Sequence, residues 1–222
     1  MSVSLCIFDL DGVIVDTAKY HYMAWKRLAR QRFNKDFTID QNERLKGISR
    51  LESLNILLEV LDANVSDKEK PVLARQKNTW YVEYIGQITK DEILPGVMHF
   101  LTDVKKNGIK TGIGSASKNT RMILERLELI NMFDSIIDGT RITRAKPDPE
   151  VFLKCSLELG IEPKCCLVFE DAAAGIEAAL AAGMIAVGIG ERDVLGRAHL
   201  VIPSLKDYTL NDILQMSERK SI

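Results

Sequence analysis

The stretch Leu5-Cys6-Ile7-Phe8-Asp9-Leu10-Asp11-Gly12-Val13-Ile14-Val15-Asp16-Thr17 decides how the rest of the chain is read. Leu5 to Phe8 is a short apolar run with β-branched and aromatic members, the composition of a buried strand. It stops where two carboxylates stand two residues apart before a glycine. In open parallel α/β sheets, ligands bind outside the carboxyl ends of the strands. Asp9 and Asp11 therefore sit where chemistry is expected. A carboxylate pair there can bind a hard cation, attack phosphorus or move a proton.

Outward from that stretch the pattern changes twice. Tyr22, Trp25, Leu28 and Ala29 recur at helical spacing, as do Leu51, Leu54, Leu57, Leu58 and Leu61. A third helical stretch spans roughly residues 67 to 88, with Pro71 tolerated in its first turn. No strand pattern interrupts residues 17 to 91. After Leu94-Pro95-Gly96 the chain alternates. Strands are expected at 109–115, 135–138, 165–169 and 184–189, with helices at 97–104, 122–127, 149–159 and 172–182. Alternation of this kind predicts an α/β fold, a doubly wound, Rossmann-like parallel sheet covered on both faces, with the first strand belonging to it. The expected domains are a core of residues 1–16 and 92–222 and an inserted helical cap of residues 17–91. Paired linkers near Asp16-Thr17 and residues 89–95 predict a hinge, and the last dozen residues are expected to fray.

At 222 residues the chain is long enough to bury a substantial core without staples. Thirty basic residues against 31 acidic ones leave a formal charge of -1, so no global field favours nucleic acid or an anionic membrane, and anion binding must be local. Cys6, Cys155, Cys165 and Cys166 lack zinc-ligand spacing and read as buried, reduced thiols. No signal peptide or membrane-spanning run is evident, so a cytoplasmic protein is expected, as a monomer without nucleic-acid or membrane partners.

Four chemistry-bearing segments fall at ends of the predicted strands or in the loops beyond them. They are Asp9 and Asp11; Gly114-Ser115-Ala116-Ser117-Lys118-Asn119; Ala145-Lys146-Pro147-Asp148-Pro149; and Glu170-Asp171. Singly each has an ordinary meaning: a solvated turn, a helix cap, a loop lysine. On one edge of a parallel sheet they converge. One nucleophilic acid, one hydroxyl, one lysine and an acid pair are what phosphoryl transfer needs, because the transferring group spreads charge over three oxygens that must be neutralised.

These residues, in this order, resemble the four motifs of the haloacid dehalogenase superfamily. Asp16-Thr17-Ala18 with His21 and Trp25, Leu45-Lys46-Gly47-Ile48-Ser49-Arg50, Lys77-Asn78 and Ser115-Ala116-Ser117-Lys118-Asn119 extend the resemblance to its β-phosphoglucomutase family over nearly the whole chain. The resemblance implies an intramolecular phosphotransferase that interconverts β-D-glucose 1-phosphate and D-glucose 6-phosphate, with a sugar-phosphate phosphatase as the alternative. Asp9 would be the nucleophile and Asp11 the general acid and base. One Mg²⁺ would be bound by Asp9, Asp11 (through its carbonyl), Glu170 and Asp171. Ser115 and Lys146 would hold the phosphoryl group, and Thr17 and His21 would act at the hinge. Trp25, Lys46, Gly47, Ser49, Arg50, Ser53 and Lys77 in the cap, with Ala116, Ser117, Lys118 and Asn119 in the core, would contact hexose phosphates. β-D-glucose 1,6-bisphosphate would serve as intermediate and activator. Gly112-Ile113-Gly114 and Ala172 depart from the family pattern without removing any of these groups, and His99 and His199 match nothing catalytic.

Overall fold

A computed structural model describes residues 3–45 and 48–219. The chain divides into two compact units, residues 1–16 with 89–222 and residues 17–88. The first unit carries a six-stranded sheet of β1 (Leu5–Phe8), β2 (Lys110–Gly114), β3 (Ser135–Ile137), β4 (Cys166–Glu170), β5 (Ile185–Ile189) and β6 (Leu200–Ile202). Every pairing is parallel and the order is β3-β2-β1-β4-β5-β6. The order reverses between β1 and β4, the point at which such sheets open a crevice beyond their carboxyl ends.

Alternation along β1 explains how both faces are covered. Leu5 and Ile7 join Val168, Ile137 and Cys166 in a buried cluster with Val151, Phe152 and Cys155 of α7 (Glu150–Glu158) and Ile176, Ala178 and Ala179 of α8 (Ala173–Ala181). Phe8 points the other way and stacks on Phe169 with ring centroids 4.8 Å apart. Phe100 of α5 (Val97–Lys106) meets both rings edge-on, at 6.2 and 5.2 Å. Helices α6 (Thr120–Arg126), α9 (Arg192–Leu195) and α10 (Leu210–Arg219) complete the unit.

In this unit β6, α9 and α10 were not among the expected elements. β6, Leu200–Ile202, lies beyond the last strand expected from the sequence. Where fraying was expected, α10 runs to Arg219, with Leu210 and Ile213 buried and Thr209 and Asp212 exchanging hydrogen bonds across its first turn.

The second unit is helical. α1 (Ala18–Phe33) buries Ala24, Trp25, Leu28 and Ala29, and stops where Asn34 turns left-handed. α2 (Ile39–Glu43) is a single short turn entered through a Thr38–Gln41 capping box. α3 (Arg50–Val60) starts on the Ser49 hydroxyl, which accepts from Glu52 N, and buries Ser53, Leu54, Leu57 and Leu58. α4 (Lys70–Ile85) packs on α1, with Arg27 of α1 stacked 4.5 Å from the Trp80 ring. Among the described residues no helix is long and apolar enough to cross a membrane.

Candidate active site

The centre of the site is an ammonium held between two acids. Asp9 follows β1 directly, and its amide donates to the Phe169 carbonyl at 2.9 Å, which fixes it beside β4. Glu170 ends β4. Lys146 arrives from a loop after β3 and donates to Asp9 Oδ1 at 2.6 Å and to Glu170 Oε1, with its ammonium 4.8 Å from the Phe152 ring centre. All three are buried. Burial alone would lower the Lys146 pKa, but Asp9 and Glu170 outweigh it and raise it above the ordinary lysine value.

Asp171 completes the acid set. Carboxylate oxygens of Asp9, Glu170 and Asp171 lie within 4.8 Å of one another. Burial pushes both Glu170 and Asp171 above the usual carboxylate range, and for Asp171 the charges of Glu170, Asp9 and Asp11 add to it. Three acids around one lysine are under-neutralised, and hard oxygen donors so crowded suit a small divalent cation.

Two glycines make this crowding possible. Gly12 has φ +78, and a Cβ there would lie 2.0 Å from an Asp171 carboxylate oxygen. A Cβ on Gly175, in the first turn of α8, would lie 1.9 Å from the Glu170 carboxyl carbon. The turn carrying Asp11 closes through Gly12 N to Val15 O at 2.9 Å and a bridge between Asp11 and Val15.

The loop after β2 is self-braced. Ser115 is buried, and its backbone amide donates a hydrogen bond to the Ile137 carbonyl at 3.0 Å. Its hydroxyl accepts from Ser117 N at 3.1 Å, and the Ser117 hydroxyl accepts from Asn119 N at 3.2 Å. Ala116 closely abuts Gly139, where a Cβ would fall 2.2 Å from the Ala116 carbonyl oxygen, and Lys118 is exposed.

Within the helical unit a second buried cation stands out. Lys77 is 1% exposed, its Nζ is 2.8 Å from His21 Nδ1, and it lies 4.7 Å from the ring centres of both Trp25 and Tyr81. His21 also packs on Tyr81, centroids 4.1 Å apart. Burial, then Lys77 and Arg50, hold His21 well below its usual pKa, so its ring is neutral near pH 7. With Nδ1 accepting from an ammonium, the proton of the neutral ring sits on Nε2. Thr17 is buried at the start of α1, and Arg50 is half-buried at the start of α3. Lys46 and Gly47 lie outside the described residues.

Against known families, residues 3–183 match the model for a haloacid dehalogenase-like hydrolase. The chain belongs to this family. Its haloacid dehalogenase-like relatives include a β-phosphoglucomutase of Bacillus subtilis, 44% identical over 92% of this chain and 91% of that protein. A phosphorylated carbohydrates phosphatase of Thermotoga maritima is 32% identical over 80% and 81%. The crystal structure of a β-phosphoglucomutase from Clostridium difficile superposes with a TM-score of 0.91 at 43% identity, covering 98% of each chain.

Several residues that shape this haloacid dehalogenase-like centre were not singled out from the sequence. Phe152 beneath Lys146 and Gly175 beneath Glu170 look like ordinary members of apolar helices. Gly112 and Gly114, to which the sequence reading gave no packing role, admit α7: a Cβ would meet Cys155 Sγ at 2.3 Å and the Phe152 ring at 2.7 Å, respectively. A glycine alternating with Ile113 through a strand was the available signal.

Proposed function

We propose that the protein is a Mg²⁺-dependent β-phosphoglucomutase that interconverts β-D-glucose 1-phosphate and D-glucose 6-phosphate through an aspartyl phosphate and β-D-glucose 1,6-bisphosphate. The observation that carries the chemistry is the Asp9–Lys146–Glu170 arrangement at the β1/β4 reversal, with Asp171 beside it. The 44% identity to a β-phosphoglucomutase over most of both chains supports the mutase reading over the phosphatase one.

The acid set fits the metal. Asp9, Glu170, Asp171 and the carbonyl of Asp11 would hold Mg²⁺, which when bound neutralises the phosphoryl oxygens and the acids around them. Lys146 supplies a fixed positive charge to the same group, and Ser115 a hydrogen bond. Asp9 is the nucleophile. One carboxylate oxygen attacks phosphorus as the bond from phosphorus to the sugar oxygen breaks, and that oxygen takes a proton from Asp11. In the opposite direction Asp11 removes the proton of the incoming sugar hydroxyl as the phosphoryl group leaves Asp9. From phosphorylated Asp9 the first transfer, to O6 of β-glucose 1-phosphate, gives the bisphosphate. The second, from O1 back to Asp9, gives glucose 6-phosphate. Atoms and charge return to their starting point.

Arg50 binds the phosphate that is not being transferred, with Ser117, Lys118 and Asn119. Lys46, Gly47, Ser49, Ser53, Lys77 and Trp25 set preference for the sugar, and Thr17 and His21 couple substrate binding to Asp11. The test supplies Mg²⁺, β-glucose 1-phosphate and a trace of the bisphosphate, and follows glucose 6-phosphate and free phosphate together. Rapid glucose 6-phosphate formation with little phosphate release is expected; dominant phosphate release would overturn the mutase reading in favour of hydrolysis.

A further inference from the structure

Lys146 stands in a loop with no regular structure, residues 142 to 149, which contains two prolines that donate no backbone hydrogen bond. Something else must fix its shape. Glu150, the first residue of α7, reaches back across the loop. Its Oε2 accepts from Thr143 N at 3.0 Å, from Thr143 Oγ1 at 3.0 Å and from Arg144 N at 2.7 Å. Oε1 accepts from Lys154 Nζ at 2.6 Å, one helical turn on. Asp148 finishes the ring: Oδ1 accepts from Glu150 N at 3.0 Å, Oδ2 pairs with Arg144 Nε at 3.2 Å, and its amide donates to Ala145 O at 3.0 Å.

A glutamate serving only its helix would pair with Lys154 and stop there. This one is 9% exposed and takes three donors from residues six and seven positions earlier, with Lys146 between donors and acceptor. We propose that Glu150 is a positioning residue for Lys146: its carboxylate ties the 143–150 loop into a ring that holds the ammonium between Asp9 and Glu170. Glu150 touches neither acid, so it acts through the lysine. The inference rests on the phosphoryl-holding role of Lys146 and deepens it. A carboxylate is needed because an amide in its place turns an N–H₂ group toward either Lys154 or the Thr143 and Arg144 donors.

The experiment measures kcat and KM for β-glucose 1-phosphate in the Mg²⁺-loaded protein carrying Glu150→Gln, Thr143→Val, Lys146→Ala, or Lys146→Ala with Glu150→Gln. Glu150→Gln is expected to lower kcat about tenfold or more, with KM changed less than about twofold, because a small misplacement of a charged group falls on the transition state. Thr143→Val removes one exposed hydroxyl and is expected to move kcat the same way by about twofold. It also carries the test if Glu150→Gln does not fold. In the Lys146→Ala background, Glu150→Gln should cause no further loss. Unchanged kcat in Glu150→Gln, or in Thr143→Val if that variant carries the test, overturns the proposal. So does a loss that persists in full without the lysine. Near-normal turnover in Lys146→Ala alone overturns instead the role of Lys146 on which the proposal stands.

Discussion

In the proposed mechanism Asp9 serves as nucleophile, metal ligand and partner of Lys146 at once, and one change separates these duties. Asp9→Asn keeps the shape and one oxygen toward Lys146 but has no carboxylate to attack phosphorus. Turnover should fall by about 10⁴-fold or more while the circular dichroism spectrum is retained. Near-wild-type turnover would show that another group attacks. Gly175 is the quieter member of the same site. In Gly175→Ala the new methyl would overlap the Glu170 carboxyl, so that acid must turn away from Lys146 and Asp171. Mg²⁺ affinity, measured by calorimetry, should drop about 10- to 100-fold, as for other changes behind metal ligands. At this scale the sequence exposed the charged groups that gather at the site but not those that make room. A carboxylate after a strand has a chemical signature, whereas Gly175 among alanines shows its purpose only when Glu170 is seen above it. Lys77 was named only through the family resemblance: its charge alone suggests solvent, and the convergence of α1 and α4 reveals the two rings and the histidine that surround it.

Strand β2 shows what a glycine does for a whole element. α7 lies so close to the strand that Gly114→Ala would press a methyl into the Phe152 ring and Gly112→Ala one into Cys155. Each should cost about 1–3 kcal/mol in denaturant unfolding, as overpacking does, and Gly114→Ala should also perturb Lys146 through Phe152. A stability unchanged in both variants would mean that the helix shifts freely. The start of α7 makes a separate prediction with pH. The Lys154 ammonium, the Arg144 amide and the Thr143 donors pull Glu150 from an ordinary 4.5 down to about 2. Between those values the unfolded chain binds the extra proton, so stability rises with pH, is complete above about 4.5 and is lost toward 2. The stability gap between wild type and Glu150→Gln should therefore be present at neutral pH and close on acidification through that window. A gap that stays constant there would remove the charge from the argument. Long periodic elements were legible from the chain alone. The three-residue β6 and the five-residue α2 were not, because their identity comes from a neighbouring strand and a capping box rather than from periodicity.

For the molecule as a whole, the proposed metal role of the acid cluster makes a prediction about stability. Asp9, Glu170 and Asp171 repel one another, and Lys146 alone leaves them under-neutralised. Mg²⁺ at 100 times its dissociation constant should add about 2.7 kcal/mol to unfolding stability. Thermal melts with Mg²⁺ and with chelator should differ accordingly, and Asp171→Asn should abolish much of that difference. Equal melting temperatures in the wild type would count against a metal at this position. The sheet order was not deducible from the chain, because alternating helix and strand patterns fix parallel pairing but not which strand lies centrally.

That β1 is central has a meaning for biosynthesis. Leu5 pairs with Lys110 on one side and with Cys166 on the other, so β1 is made before either of its partner strands. As the chain emerges from the ribosome, residues 17–88 can already collapse among themselves, whereas the strand before them waits with both hydrogen-bonding edges open. The last partner of Asp9 arrives with residues 170 and 171. A nascent chain arrested before β4 therefore lacks Glu170 and Asp171, and β1 has one hydrogen-bonding edge unpaired.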